Sequence, residues 1–340
     1  MLDVGVFGAS GFGGAELMRL LAGHPSMRVR LATADSQAGG RVADLYPSLA
    51  AAYPDNVFAG PDPAAADGLD VVFLALPHGA SQGLVPDLRK RVGTVVDLAA
   101  DFRLEDASLY PEWYGEEHHH PELLAEAVFG IPELFREKLA GATLIAAAGC
   151  YVTAAALALA PLVRAGVIEP SGVIVDAASG VSGAGRVPKP NTHFNTVDED
   201  FTAYGLLRHR HTPEMEQATG AQILFTPHLA PMNRGILATC YARPATAAGG
   251  DVEEPLETLR RAYQGEPFVV VDERSPSTKA TLGSNSAHLT ARRDERTGWV
   301  LSICALDNLT KGAAGQAIQC ANIALDLPET AGLPVVGVYP

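Results

Sequence analysis

The sequence lacks any apolar run that approaches the roughly 20 residues needed to span a bilayer, so no transmembrane helix is expected. At the N-terminus, MLDVGVFGASGFGG has no basic stretch followed by an apolar core, and we therefore expect no signal peptide. The four cysteines, Cys150, Cys240, Cys304 and Cys320, lie far apart and show neither CxxC nor Cys/His spacing. These features predict free thiols in a reducing cytoplasm and argue against a disulfide framework or a zinc site.

Basic residues are also few, because Lys and Arg number 25 against 39 Asp and Glu, which gives a net charge of −14. A surface that binds nucleic acid needs clustered positive charge, so nucleic acid is not an expected partner. A small anionic substrate is compatible with this balance, since a few arginines can set the local charge. We expect a small-molecule substrate and neither a nucleic-acid nor a membrane partner.

The 340 residues, 47% of them hydrophobic, are enough for about two globular domains. Strands alternate with helices up to residue 149, and the apolar runs in 69–79 and 93–103 are typical of parallel strands buried on both faces. This pattern predicts an α/β fold whose first domain, residues 1–149, is a doubly wound Rossmann domain. The broad apolar face of the last helix, 311–327, predicts that residues 311–340 return to this domain.

After a helix that begins near Cys150, the strands have longer connections, which predicts a second, mixed α/β domain over residues 150–310. Segment 246–254, TAAGGDVEE, is predicted to be a surface loop. The strands predicted for this domain lie within 171–186, 221–229, 234–243, 266–273 and 298–309.

Gly8, Gly11 and Gly14 stand between the first strand and the first helix. A pyrophosphate can approach backbone N–H groups only where no Cβ intrudes, and a helix N-terminus favours negative charge. The segment therefore predicts a dinucleotide-binding loop, against the alternative of a merely tight turn. The cofactor stays open on these grounds, since Asp35 would favour NAD, whereas Ser36 and Arg41 would favour NADP.

Cys150 follows a glycine and opens a helix-forming run, AAGCYVTAAALAL. A helix N-terminus lowers the pKa of a thiol, so this position favours a nucleophilic thiolate. The alternative, a small buried hydrophobic residue, fits Cys240, Cys304 and Cys320 better.

His209 and His211 flank Arg210 just before a helix, and an imidazole there could move protons for a thiolate. Because they are two residues apart in an extended segment, only one of them is expected to face the sulfur. Arg186 ends a glycine loop and Arg103 ends a strand, and either could bind an anion. The run EEHHHP, 116–121, is interpreted as a solvated loop, so no metal site is expected.

Eight motifs taken in order resemble the signatures of the N-acetyl-gamma-glutamyl-phosphate reductase family, and the resemblance as a whole extends from residue 4 to about residue 325. The resemblance implies an NADPH-dependent reduction of N-acetyl-γ-glutamyl phosphate to N-acetyl-L-glutamate 5-semialdehyde, with release of phosphate, in arginine biosynthesis. It also implies a homo-oligomer, either a dimer or a tetramer. The motifs are GASGFGGAEL, LPHG, AADFR, GCYVTAA, SGVSGAGR, HRHTPEM, TPHLAPMNRGILAT and DNLTKGAAGQAIQ.

The resemblance also assigns roles to residues of this chain. The nucleophile falls on Cys150 and the acid/base histidine on His209, with His211 as the alternative. Substrate-binding positions fall on Arg103, Arg186 and Arg208. Positions for NADP(H) fall on Gly8, Ser10, Gly11, Phe12, Gly13, Gly14, Ser36, Ser182, Gly183 and Asn308.

Two departures from the family pattern are Ala148 and Val152, where the family usually has proline. Two other functions stay open. One is a related acyl-phosphate reductase, such as an aspartate-semialdehyde dehydrogenase or a lysine-pathway relative, which would share the chemistry and differ in its side-chain pocket. The other is a catalytically silent NADP-binding sensor, which would bind cofactor without phosphate-dependent turnover.

Overall fold

A computed structural model describes residues 1–245 and 253–339 of the chain. The predicted loop 246–254 therefore lies almost entirely outside the described residues. The strands in chain order are β1 Leu2–Phe7, β2 Met27–Ala32, β3 Val71–Leu74, β4 Thr94–Asp97, β5 Val128–Gly130, β6 Leu144–Ala147, β7 Val173–Gly180, β8 Thr202–Ala203, β9 Ile223–Ala230, β10 Ile236–Ala242, β11 Val269–Val271, β12 Ala287–Arg293 and β13 Val300–Leu306. The α-helices are α1 Phe12–Leu21, α2 Val42–Leu45, α3 Val85–Leu88, α4 Tyr110–Tyr114, α5 Pro121–Glu126, α6 Pro132–Leu139, α7 Cys150–Arg164, α8 Phe194–Val197, α9 His211–Thr219, α10 Pro255–Ala262, α11 Thr278–Thr281 and α12 Gly315–Ala324.

The chain divides into two compact units. The first unit comprises residues 1–111, 116–148 and 313–333. The second comprises residues 112–115, 149–312 and 334–340. Among the described residues, no helix has both the length and the apolar character that crossing a membrane requires.

The first unit is built on a six-stranded sheet with the strand order β2-β1-β3-β4-β6-β5, and all its pairings are parallel. Strands β3 and β4 are buried at every residue, as expected for a sheet that is covered on both faces. Helix α12 packs against α1, α6 and strands β4 to β6, so residues 313–333 complete this unit, whereas the predicted return of 334–340 is wrong because those residues belong to the second unit. The predicted Rossmann fold, with its returning helix, is confirmed.

The second unit is built on a seven-stranded mixed sheet with the order β11-β12-β13-β10-β7-β9-β8. Helix α7 packs on β7, β10, β12 and β13, and it contacts α9 and α10 beside it. Residues of β7 and β10 alternate between buried and half-buried, because one face of the sheet lies under α7 and the other does not. Leu224 and Val270 on the second face are 50% and 43% exposed.

Candidate active site

Cys150 is the first residue of helix α7, and Gly149 is its N-cap with extended backbone angles, φ −64° and ψ 150°. The thiol is partly exposed, whereas Cys240, Cys304 and Cys320 are buried. Burial raises the pKa of the Cys240 thiol, which makes that group a poor nucleophile. Of the four cysteines, Cys150 alone combines access to solvent with a helix N-terminus.

The ring of His211 lies directly against Gly149. A Cβ placed on Gly149 would be 2.4 Å from Nε2 of His211 and 2.7 Å from its Cε1. Only glycine leaves room for this approach, so the imidazole reaches the residue that immediately precedes the thiol. His211 is the first residue of α9 and is 8% exposed. The N-terminal turns of α7 and α9 therefore meet at the cysteine.

Glu214 lies three residues after His211 on α9 and is fully buried. Its Oε2 accepts a hydrogen bond from the Gly149 N–H at 3.1 Å. Its Oε1 accepts one from the Tyr114 hydroxyl at 3.0 Å. The carboxyl group thereby ties the backbone before Cys150 to the helix that carries His211.

The ring of His209 contacts that of His211, with centroids 4.7 Å apart, but has a different environment. Its Nδ1 accepts the backbone N–H of His211 at 3.2 Å, and its ring packs edge-on against Tyr151 and Phe225. Burial, with a smaller contribution from the charge of Arg210, lowers the pKa of His209 to about 4. The ring is therefore neutral at physiological pH.

Two tyrosines complete this aromatic cluster. The Tyr204 hydroxyl donates to the Tyr151 hydroxyl at 3.1 Å, and Tyr151 donates to the carbonyl oxygen of His228 at 3.0 Å. Burial raises the pKa of Tyr204 to about 12 and raises that of Tyr151 as well, so both hydroxyls keep their protons. The cluster supports the start of α9 with neutral groups.

The loop between β13 and α12 brings three predicted cofactor residues together. Asn308 Nδ2 donates to Ser182 Oγ at 3.0 Å, and its Oδ1 accepts the Gly235 N–H at 2.8 Å. A Cβ on Gly183 would lie 3.7 Å from Asn308 Nδ2. The side-chain amide is thus held in one orientation by both of its ends.

Asp307 and Gly312 fix the position of this loop. Asp307 is fully buried and accepts hydrogen bonds from both Nε and Nη2 of Arg234, the shortest from each at 2.9 Å. A Cβ on Gly312 would lie only 2.8 Å from Cβ of Cys150. The loop that carries Asn308 therefore packs against the first residue of α7.

The predicted dinucleotide loop joins β1 to α1 in the first unit. Gly8 has φ +79°, and a Cβ there would be 2.4 Å from the Ala75 carbonyl oxygen. A Cβ on Gly14 would lie 2.4 Å from the carbonyl oxygen of Gly8. Around Gly13, in contrast, the nearest atom to such a Cβ is 4.0 Å away. The turn is tightly packed at Gly8 and Gly14 but leaves space at Gly13. This arrangement fits a pyrophosphate bound at the N-terminus of α1.

Other residues predicted to contact the cofactor also lie at this end of the sheet. Ser10 and Phe12 belong to the same turn, and the Ser10 carbonyl oxygen accepts the Tyr46 hydroxyl at 2.7 Å. Asp35 and Ser36 are exposed just beyond β2. The carboxyl ends of parallel strands are where such folds bind ligands, so these positions suit the adenosine ribose.

The three arginines predicted to bind substrate occupy different environments. Arg103 belongs to the first unit, is 8% exposed, and donates through Nη2 to the Leu98 carbonyl oxygen at 2.7 Å. In the second unit, Arg186 is half-buried just after Gly185, and Arg208 is exposed on the turn before His209. Gly185 has φ +86°, which explains the glycine in this loop.

A buried carboxyl pair lies near the ends of β3 and β4 in the first unit. Ser81 Oγ is 2.7 Å from Oδ2 of both Asp97 and Asp101, and His78 Nδ1 is 2.8 Å from Asp101 Oδ1. Burial, together with the charge of Asp101, raises the pKa of Asp97 to about 7. Burial also works against ionisation of Asp101, but the bonds from His78, the Gly79 N–H and Ser81 outweigh it and hold its pKa at about 2.

The histidine run 118–120 is not arranged as a metal site. His118 is largely buried and packs edge-on against Phe102 and at a tilt against Tyr110. Within residues 1–245 and 253–339, no group of three or more His, Cys, Asp or Glu side chains is placed to hold a metal ion.

Glu214, Tyr114 and Asp307 have places in the site that the sequence alone did not indicate. Glu214 could have been found from its spacing, because residues i and i+3 share a helix face and Glu214 follows His211 by three positions. Tyr114 carries no such signal, since it is 100 residues from its partner along the chain. Asp307 directly precedes Asn308, which the family resemblance identifies, but a buried ion pair is not visible in sequence.

Two protein-family models match the chain. Residues 3–142 match the model described as "Semialdehyde dehydrogenase, NAD binding domain". Residues 150–308 match the model described as "Semialdehyde dehydrogenase, dimerisation domain". The two matches together cover most of the chain.

Curated proteins with similar sequences carry one name, N-acetyl-gamma-glutamyl-phosphate reductase. The protein of that name from Symbiobacterium thermophilum is 48% identical and aligns over 100% of this chain and 99% of its own length. The proteins from Geobacter sp. and Magnetococcus marinus are 46% and 44% identical, again over 100% of this chain and 99–100% of their own.

Solved structures share the fold at much lower identity. A probable aspartate-semialdehyde dehydrogenase from Pseudomonas aeruginosa superposes with a TM-score of 0.68 at 19% identity, covering 95% of this chain and 98% of that one. The aspartate-semialdehyde dehydrogenase with NADP from Candida albicans gives 0.69 at 16% identity, with the same coverage. These likenesses establish the architecture of both units and nothing finer.

Proposed function

The chain belongs to the N-acetyl-gamma-glutamyl-phosphate reductase family, and from this we propose that it reduces N-acetyl-γ-glutamyl phosphate to N-acetyl-L-glutamate 5-semialdehyde with NADPH, releasing phosphate. The observation that carries the chemistry is Cys150 as the first residue of α7, with the His211 ring packed on Gly149. The full-length relatives at 43–48% identity favour this reaction over that of the more distant aspartate-semialdehyde dehydrogenases.

In the proposed mechanism, Cys150 is the nucleophile. The first N–H groups of α7 have no partner within the helix, so the helix end stabilises the thiolate and the oxyanion that forms when it attacks. Sγ bonds to the acyl carbon, the carbon–oxygen bond to the phosphate breaks, and phosphate leaves. The product of this step is a thioester on Cys150.

His211 is the proposed acid/base group. Its ring adjoins the turn of Cys150, whereas His209 packs against Tyr151 and Phe225 and stays neutral over the working pH range. NADPH supplies a hydride when it is bound. His211 gives a proton to the oxygen of the resulting thiohemiacetal and later removes it, so that the aldehyde leaves and the thiolate is restored. His209 is assigned to holding the His211 backbone through its Nδ1.

The residues proposed to bind cofactor form two groups. In the glycine loop, Gly8, Ser10, Gly11, Phe12, Gly13 and Gly14 would hold the pyrophosphate, and Ser36 would contact the adenosine ribose and its 2′-phosphate. Ser182, Gly183 and Asn308 would meet the nicotinamide end. The hydrogen bonds at both ends of the Asn308 side chain support a fixed contact of this kind.

Arg103, Arg186 and Arg208 are proposed to bind the anionic substrate. A guanidinium matches phosphate and carboxylate geometry with two parallel N–H groups. Arg186 is the strongest candidate of the second unit, because it is half-buried and follows the loop of Ser182 and Gly183.

We further propose that the domains divide as residues 1–149 with 311–333 for NADP binding and 150–310 for catalysis and oligomerisation. The protein would act in the cytoplasm as a homo-oligomer. The homo-oligomer is supported by the match to a dimerisation domain and by the sheet face of Leu224 and Val270, which α7 leaves uncovered. An exposed apolar sheet face of this kind is typical of subunit interfaces.

The decisive assay follows NADP⁺ reduction with N-acetylglutamate semialdehyde plus phosphate, run beside NAD⁺ and beside aspartate semialdehyde. We expect phosphate-dependent turnover with the first substrate only. Cys150→Ser should abolish turnover and leave NADPH binding intact. A Ser variant with near-normal rates would rule out the covalent route, and preference for aspartate semialdehyde would favour the related dehydrogenase. Cofactor binding without any turnover would favour the silent sensor.

A further inference from the structure

We propose that Glu214 is a positioning residue that holds the Cys150 turn in place against His211. This rests on the proposed function, since it concerns the same thiol, but it can be tested without substrate. Glu214 is fully buried, and the mechanism above assigns it no task. A carboxyl group removed from water is costly unless it is well hydrogen-bonded, and here both oxygens have donors.

The first part of the argument is the identity of the donor. Oε2 accepts the N–H of Gly149, which is the N-cap residue of α7 and the residue immediately before Cys150. That bond lies across helices, 65 residues apart in sequence. A carboxylate in the first turn of α9 would also favour its own helix, but that alone would not require contact with α7.

The second part is that Glu214 shares its helix with His211. The two residues are one turn apart, so they lie on the same side of α9. The helix therefore contacts Gly149 twice, through the His211 ring on the α-carbon and through Glu214 on the N–H. Because a helical turn is rigid, fixing the N–H also fixes the ring relative to the residue that bears the thiol.

The third part is the hydrogen bond from Tyr114 to the other oxygen of the carboxyl group. Tyr114 donates to Oε1 at 3.0 Å and lies 3.4 Å from the carbonyl oxygen of Arg210, which precedes His211. Residues 112–115 belong to the second unit although the chain on either side belongs to the first. Tyr114 thus holds one oxygen of Glu214 in place, which leaves the other, Oε2, aimed at Gly149.

Glu216 provides a matched control on the same helix. Its Oε1 accepts the N–H of Ile223 at 2.9 Å, so it too bonds a backbone group beyond α9. That bond ties the helix to the start of β9 and does not involve the Cys150 turn. Glu214→Ala and Glu216→Ala therefore remove the same type of bond from the same helix, and only the first should affect the thiol.

The test measures iodoacetamide alkylation of Cys150 against pH, without substrate or cofactor, in the full-length protein. In Glu214→Ala we expect a slower plateau rate and a raised apparent thiol pKa, because the sulfur is less well placed on the helix end. Glu216→Ala should reproduce the unmodified profile. A lowered thiol pKa in Glu214→Ala would mean that only a negative charge was removed, and it would overturn the proposal.

Turnover gives an independent readout. Glu214→Ala should lower kcat about 10²-fold, as misplacement of a reacting group by about 1 Å does, with KM and NADPH affinity nearly unchanged. Glu214→Gln keeps an oxygen for the Gly149 N–H and should recover most of that loss. Equal losses in the Gln and Ala variants would contradict a positioning role.

Tyr114→Phe removes only the hydrogen bond to Oε1 of Glu214, so it should lower kcat several-fold. In the Glu214→Ala background the same substitution should have little further effect. Additive effects of the two substitutions would show that Tyr114 does not act through Glu214. If no variant turns over acyl phosphate, the proposed function fails, while the alkylation profiles still decide the role of Glu214.

Discussion

The Nε2 atom of His211 occupies the space where a side chain on Gly149 would begin, 2.4 Å from the built Cβ position. The backbone angles of Gly149, φ −64° and ψ 150°, are open to any residue, so glycine is required for space and not for conformation. The two residues come from different helices. The close approach of these two residues brings an imidazole to the turn that precedes Cys150.

Gly149→Ala should therefore separate the two helix ends without straining the backbone. We expect kcat to fall by about 10², since the ring must move by about 1 Å, while NADPH affinity stays within about twofold. Single-turnover rates and cofactor titration would measure both. Near-normal kcat in this variant would show that His211 does not need its observed position.

Substitution of each histidine by asparagine should separate their roles. His211→Asn should lower kcat, measured at saturating substrate, by about 10²–10⁴, the range typical of a lost general acid/base. His209→Asn should cost less than about tenfold, because Asn can still accept the His211 N–H and the His209 ring, with its pKa of about 4, does not titrate between about pH 6 and 9. A larger loss in His209→Asn than in His211→Asn would reverse the assignment.

Much of the fold follows from local sequence. The buried runs in β3 and β4, the glycines between β1 and α1, and the helix start at Cys150 each depend on neighbouring residues, and the structure has them where the sequence predicts them. Strand β12 was not predicted. Its sequence, AHLTARR, ends in two arginines, and it forms an antiparallel hairpin with β13 while α7 and α10 pack on it.

The candidate site was only partly visible from the sequence. Motifs identified Cys150, both histidines and Asn308 one by one, but the contact of His211 with Gly149 joins residues that are far apart in sequence. The choice between the two histidines depends on how α9 is rotated, which tertiary packing decides. The role of residues 112–115 in the second unit likewise depends on chain topology and has no local pattern.

Asp97→Asn should change how stability depends on pH. The pKa of Asp97 is about 7 in the folded protein, against the ordinary aspartate value of 3.8 expected for the unfolded chain. Between these values the unfolded chain ionises while the folded one holds its proton. This contribution lowers the free energy of unfolding as pH rises from about 4 to 7. Asparagine is neutral throughout and can still accept the Ala99 N–H, so the variant escapes this loss.

Urea unfolding of the two proteins at about pH 4.5 and pH 8 measures the effect. We expect the variant to gain about 3 kcal/mol relative to the unmodified protein between the two pH values. Circular dichroism without urea would confirm that both are folded at each pH. A difference in unfolding free energy that does not change with pH would mean that the folded state does not hold the Asp97 proton more tightly than the unfolded chain.

Asp35→Asn should strengthen the preference for NADP(H). Asp35 is exposed just beyond β2, where the adenosine ribose binds in folds of this type, and its carboxylate would repel a 2′-phosphate but accept a ribose hydroxyl. We expect KM for NADPH to fall and KM for NADH to rise, each by about three- to tenfold, with kcat unchanged.

Asp44→Asn is the matched control, because Asp44 is another exposed carboxylate of the same unit. Since the repulsion acts through solvent, the gain with NADPH should shrink in about 0.5 M salt, where screening lengths are about 4 Å. Equal shifts in both variants would reduce the effect to net charge, and an unchanged cofactor ratio in Asp35→Asn would place the ribose away from this carboxylate.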